Sequence, residues 1–318
     1  MDMTYRRLGR SGLKVSALSL GGWTTFGESV VDQPLVDAIL GEAFERGVNF
    51  YDIADVYAKG ESERAMGRSL SRFPRHRLVV SSKVFWPMSE DVNDRGLSRK
   101  HVVESCERSL KRLGMDYLDL YYCHRFDPET PLEETVRAMD DLIRQGKILH
   151  WGTSEWTGDQ IRRAHEVARL RNADGPVVEQ PQYNLLSRLR IVEDVGPACA
   201  DTGMGMTTFS PLAVGLFTGK YENGVPEGSR LSRIDWLAKT ALTEEKLSRS
   251  AAANALARSW GLKPSHAALA WVREQPGVSS VILGATSVAQ LRENLDSLEV
   301  TLTPAQRQEL EAACPPTR

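Results

Sequence analysis

The sequence is poor in the features that mark several protein classes. Its four cysteines, Cys106, Cys123, Cys199 and Cys314, lie far apart and form no C-x-x-C pair. That spacing argues against a zinc knuckle or a disulfide framework and leaves four reduced thiols serving as small apolar groups. No apolar run approaches the ~18 residues of a membrane span, and the opening "MDMTYRRLGR" has no apolar stretch of the secretory kind. A cytoplasmic protein without membrane insertion is the expectation. Lysine and arginine number 40 against 42 aspartates and glutamates, a formal net charge of −2. With no basic stripe interleaved with aromatics, nucleic acid is not an expected partner. "SLGGWTTFG" does not supply the G-x-G-x-x-G of an open dinucleotide-binding sheet. Histidines and carboxylates do not cluster as metal ligands do, so no metal is expected.

What the chain does have is a repeated joint. Residues 33 to 46 place Leu35, Val36, Ile39, Leu40, Ala43 and Phe44 on one helical face, and Gly47 stands at the left-handed stop position. The joint recurs at Gly114 in "KRLGMDYLDLYY", at Gly146 in "IRQGKILHWG" and at Gly203 in "ADTGMGMTTF". Each time an amphipathic helix ends on glycine and a short apolar strand follows. The pattern predicts eight strands, at 17–20, 48–52, 78–83, 117–124, 148–153, 177–180, 205–209 and 280–283. Helices are predicted at 33–46, 62–71, 99–113, 132–145, 157–170, 190–201, 264–274 and 287–295.

Strand and helix alternating eight times over 318 residues fit an α/β fold of the (β/α)8 TIM-barrel type better than an open sheet. "YRRLGRSGLKVSAL" reads as an N-terminal β-hairpin turning at Ser11-Gly12 and plugging one barrel end, and extra C-terminal helices complete the fold. No linker rich in proline, glycine or serine divides the chain, so residues 1–318 are expected to form one barrel domain. The irregular stretch 210–242 is a long loop of the kind that usually carries function.

In such a barrel the chemistry sits at the C-terminal ends of the strands. The second predicted strand ends in Asp52, with Tyr57 in the loop beyond, the third in Lys83 and the fourth in His124. Period-two alternation puts Asp52 with Val48 and Phe50, Lys83 with Val79 and Ser81, and His124 with Leu120 and Tyr122. Taken singly, each is more often a cap, a rim charge or a packing group. As an ordered set they suggest proton chemistry: Asp52 keeps a buried Lys83 charged, and the ammonium draws the Tyr57 phenol down from its ordinary value near 10. Such a phenol hands a proton to a carbonyl oxygen as it becomes an alkoxide, with His124 orienting the carbonyl or sharing the proton.

At this point the sequence resembles the aldo-keto reductase family, from "YRRLGRSGLKVSALSLGGW" to "VILGATSVAQLRENL". "FYDIADVYAKGESE", "GLSRKHVVESCERSLKRL", "TPLEETVRAMDDLIRQGK", "WGTSEW" and "SPLAVGLFTGKYENGVPEGSR" look most like the branch holding the β-subunits of voltage-gated potassium channels and their bacterial relatives. The resemblance implies a catalytic tetrad of Asp52, Tyr57, Lys83 and His124 and hydride transfer from NADPH to a small aldehyde or ketone. It implies that Ser154 and Gln180 meet the nicotinamide carboxamide and that Phe209 stacks on the ring. Ser210, Leu212, Gly215 and Lys220 then wrap the pyrophosphate, and Arg230 reaches the adenosine phosphate. Thr286, Gln290, Glu293 and Asn294 surround the 2′-phosphate and adenine, with Trp23 and Gly284 also on the cofactor wall. Trp23 and Trp86 line the substrate pocket with Tyr57 and His124.

The sequence also departs from the family pattern. Glu155 stands where many members carry asparagine, and Gly284 and Gln290 stand where other branches carry lysine and arginine. His124 is present where the channel subunits lack it, which favours a working reductase. Relatives of this branch form tetramers or larger rings, so a homo-oligomer is implied as well. A redox-sensing NADP(H)-binding accessory protein with slow turnover is the alternative.

Overall fold

The computed structural model describes residues 3–317. Two antiparallel strands, β1 (Tyr5–Arg7) and β2 (Lys14–Ser16), form the N-terminal hairpin. Eight parallel strands follow: β3 (Leu18–Gly21), β4 (Phe50–Asp52), β5 (Val79–Val84), β6 (Leu118–Cys123), β7 (Ile148–Ser154), β8 (Val178–Gln180), β9 (Gly205–Thr208) and β10 (Val278–Leu283). They pair in sequence order and close, β10 bonding to both β9 and β3. The (β/α)8 barrel expected from the alternation is the fold.

The helices start and stop where side chains and glycines direct. Asp32, Ser98, Thr157 and Ser287 each accept a hydrogen bond from a backbone N–H in the first turn of the helix they precede. Gly47, Gly114, Gly146 and Gly203 all have φ between 66° and 85°, the left-handed conformation that lets the chain leave a helix without Cβ strain.

Alternation along the strands divides the core in two. Phe50, Val79, Leu120, Tyr122, Val178 and Ile282 point into the barrel and meet Leu8 and Val15 of the hairpin, which plugs that end as expected. Tyr51, Val80, Tyr121, Cys123 and Trp151 face outward against the helices. Val48 belongs to this outer layer, not to the inner face with Asp52 as predicted, because β4 begins only at Phe50. Likewise β6 ends at Cys123, and His124 lies one residue beyond it, its N–H donating to Val84 O at 2.9 Å.

Helix Glu244–Ser259 has no counterpart among the predicted ranges, and Pro304–Ala313 is an extra C-terminal helix of the kind expected without bounds. The first buries Ser250, Ala253, Asn254 and Ala257. Small side chains give too little apolar contrast for a periodic signal. Residues 210–242, expected to be irregular, contain a 3₁₀ turn at Ala213–Thr218 and short helices at Arg230–Arg233 and Asp235–Ala241.

Candidate active site

The inner faces of β4, β5, β6 and β8 carry a polar cluster above the apolar plug. Lys83 is fully buried, and its Nζ donates to Asp52 Oδ2 at 2.7 Å, to Ile53 O at 2.8 Å and to Tyr57 Oη at 3.1 Å. Asp52 Oδ1 accepts from Ser81 Oγ at 2.9 Å and from Gln180 Nε2 at 2.8 Å. A buried carboxylate is costly unless cations and donors meet it, and here one cation and two donors do. The rings of Tyr57 and His124 meet edge to face at 5.8 Å, and Trp86 meets His124 in the same way at 6.3 Å.

Electrostatics decide the protonation states. Burial alone would strip the proton from Lys83, but Asp52 and Tyr57 outweigh it and hold the ammonium above its ordinary value. His124 is pushed well below the usual imidazole range by burial, with Lys83 and Arg125 adding to the effect, so it is neutral at pH 7. The expected lowering of Tyr57 does not occur: burial raises the phenol above its ordinary value, and Lys83 pulls against this without overcoming it. Burial penalises the phenolate more than the ammonium rewards it, because Asp52 already spends much of the Lys83 charge.

These groups sit at one end of a cavity of about 1100 Å³ at the C-terminal mouth of the barrel. Its wall includes Trp23, Asp52, Tyr57, Trp86, His124, Ser154 and Gln180. The 209–230 segment adds Phe209, Ser210, Leu212, Gly215, Lys220 and Arg230, and the segment after β10 adds Gly284, Thr286, Gln290 and Asn294. Of the residues singled out in the sequence, Lys83 lies just beneath this surface, and Glu293 lies away from it. Glu293 is exposed, pairs with Lys263 at 3.3 Å, and receives His266 at its backbone oxygen. One turn earlier, Gln290 bonds Thr286 N and Oγ1 through its Oε1 at 2.8 and 3.1 Å. Glu155 is held by Gln182 N at 2.6 Å and Arg190 at 3.0 Å.

Backbone strain gathers around the same mouth. Thr24, Ala58, Glu155, Ser210 and Val214 all line the cavity and all have φ between 52° and 60°, except Ala58 at 48°. Non-glycine residues in this region cost roughly 1–3 kcal/mol each and collect at ligand sites.

The cavity wall carries a cation and polar groups that the described residues leave unsatisfied. Arg230 is half-buried, lies 5.9 Å from the Trp23 ring centroid and pairs with no carboxylate among the described residues. Burial lowers its pKa, with Arg233 adding to the effect, and Tyr221 and Glu28 pull against this without overcoming it. Thr24 Oγ1 and His124 Nδ1 are buried without hydrogen-bond partners. Unpaired groups of this kind are rare unless a ligand completes them. At the other end, Ser154 Oγ donates to Gln180 O at 2.9 Å and receives Arg125 Nη1 at 3.4 Å. Sequence reasoning missed Ser81 and Arg125. A serine in mid-strand and an arginine beside a histidine carry no motif of their own.

A closed parallel barrel with a buried Lys-Asp pair against a tyrosine, under a long cavity with an unpaired arginine, defines a class of oxidoreductase scaffold. The comparisons agree with it. The profile described as "Aldo/keto reductase family" matches residues 17–314, and the chain belongs to that family. It is 45% identical to a "Probable voltage-gated potassium channel subunit beta" of Oryza sativa subsp. japonica, across 98% of this chain and 96% of that protein. It is 44% identical to a protein of the same description from Arabidopsis thaliana, across 95% of this chain and 94% of that one. No helix among the described residues is long and apolar enough to cross a membrane.

Proposed function

We propose that this protein is an NADP(H)-dependent reductase of aldehydes and ketones in which Tyr57 is the proton donor. The observation that carries the reading is the contact of one buried ammonium, Lys83 Nζ, with both Asp52 Oδ2 and Tyr57 Oη. A phenol that gives up its proton leaves a phenolate, and a fixed cation 3.1 Å away stabilises that charge as it forms. Asp52 holds the cation in place, and Ser81 and Gln180 hold Asp52. Neutral His124 has its ring edge on Tyr57 and orients the carbonyl oxygen toward the phenol.

When bound, the cofactor supplies a hydride to the carbonyl carbon. On this reading Ser154 and Gln180 receive its carboxamide and Phe209 its ring. Ser210, Leu212, Gly215 and Lys220 bind the phosphates, and Thr286, Gln290 and Asn294 meet the adenosine end. Arg230 is the cation for which the adenosine 2′-phosphate supplies an anion, which is why NADP rather than NAD is proposed. Glu293, turned to Lys263, is left out of this set.

The relatives' description as channel subunits supports a second reading, an accessory protein that holds NADP(H) and turns over slowly. It also makes assembly of several copies part of the proposal. NADPH consumption over a panel of aldehydes and ketones, run beside measurement of cofactor release, separates the two readings. Ready multiple turnover supports the reductase. Tight NADPH retention with no turnover supports the accessory protein, and absence of NADPH binding removes both.

A further inference from the structure

Arg125 is the group the proposed reaction leaves unused. It follows His124 at the end of β6 and lines the cavity beside Tyr57, Trp86 and His124. Its guanidinium lies 5.6 Å from the Trp86 ring, and Nη1 donates to His124 O and, at 3.4 Å, to Ser154 Oγ. No carboxylate among the described residues lies within ion-pair distance of it. A half-buried guanidinium meeting only a neighbouring carbonyl and a long contact to a serine keeps most of its five donors unspent.

The barrel order says which ligand group it faces. In the ring β3 to β10, β6 and β10 lie directly opposite one another. Arg230 packs against Gly284 just after β10, a Cβ on that glycine lying 3.2 Å from its Nη2. Arg125 and Arg230 thus stand on opposite walls of the cavity, neither with a carboxylate partner among the described residues. Arg230 stands with the loops proposed for the phosphates, and Arg125 stands with Tyr57 and His124, where the carbonyl is reduced. A dianionic phosphate at the second position would call for another cation, and the charge of Lys83 there is already met by Asp52. One planar guanidinium suits one planar carboxylate. Trp86, 38% exposed, offers an apolar face between the two ends of such a molecule.

The geometry points to a substrate that is an aldehyde or ketone carrying a carboxylate, bound through Arg125 while its carbonyl meets Tyr57. This assignment rests on the reductase reading for its carbonyl end alone. The carboxylate end is tested separately.

The kinetic arm compares 4-carboxybenzaldehyde with neutral 4-formylbenzamide, and succinic semialdehyde with butanal, in wild type, Arg125→Leu and Arg125→Lys. The ratio of kcat/KM values within each pair, divided between proteins, cancels the intrinsic electrophilicity of the aldehydes. Wild type is expected to favour the carboxylates, the preference to fall about 10- to 100-fold in Arg125→Leu, and Arg125→Lys to keep part of it. The binding arm measures benzoate by calorimetry on the same three proteins, with and without NADP+. Benzoate binding that Arg125→Leu abolishes and Arg125→Lys retains in part supports the assignment even if no aldehyde is turned over, an outcome that would count only against the reductase reading. Equal use of charged and neutral aldehydes by wild type, or benzoate binding unchanged in Arg125→Leu, overturns it.

Discussion

Gln180 Nε2 donates to Asp52 Oδ1 at 2.8 Å, and the bond crosses the lumen of the barrel, because β8 and β4 stand opposite each other in the ring. Family resemblance gives Gln180 to the cofactor, yet the structure ties it to the carboxylate that keeps Lys83 charged. Gln180→Ala therefore removes a brace as well as a ligand contact. Leaving Asp52 one donor short should cost about 1–3 kcal/mol, read by urea denaturation without cofactor. An unchanged midpoint would show that the cross-lumen bond carries no stability.

The protonation states predict the pH profile of reduction. Tyr57 must carry its proton to act, and burial raises its pKa, so activity should persist above pH 10 and fall only as pH rises through the raised value. His124, depressed well below 6.5, should add no inflection between pH 6 and 7. A kcat/KM profile against pH checks both. A fall centred near pH 7 would mean that Lys83 tunes the phenol far more strongly than burial opposes it.

Glu179 stands in the middle of β8, fully buried, and burial pushes its carboxyl up to about 8 from an ordinary 4.5. Between those two values the folded protein holds a proton that the unfolded chain has released. Stability therefore falls as pH rises through this window. Glu179→Gln removes the titration, so the gap in melting temperature between wild type and variant should move in the variant's favour from pH 5 to pH 8.5. A constant gap would contradict the buried, protonated carboxyl.

Arg230 lines the cavity with no carboxylate partner among the described residues. Arg230→Leu should weaken NADPH binding about 10- to 100-fold in fluorescence titration, the size expected for a charge-assisted contact. A parallel titration with NADH tells whether the 2′-phosphate or the pyrophosphate is the partner. Unchanged affinity for both would detach Arg230 from the cofactor site.

Much of this was legible in the sequence because local chemistry repeats. Gly47, Gly114, Gly146 and Gly203 each end a helix in the left-handed conformation before a barrel strand, so the βα rhythm could be counted. Asp52, Lys83 and His124 were visible because strand ends face the mouth of such a barrel. Helix Glu244–Ser259 was hidden because its buried face is serine, alanine and asparagine. The direction of the Tyr57 shift was hidden because it depends on how deeply the phenol is desolvated, and residue identity does not report that. Arg125 went unread because its setting is made by Trp86 and Ser154, which are remote from it in sequence.

The central claim is that Tyr57 is the proton donor, with Lys83 and Asp52 serving it. The most direct measurement is single-turnover NADPH oxidation with a reactive aldehyde in wild type and Tyr57→Phe, with NADPH affinity measured in both. Tyr57→Phe should slow the chemical step about 100- to 10,000-fold with cofactor affinity nearly unchanged. Equal rates in the two proteins would contradict it.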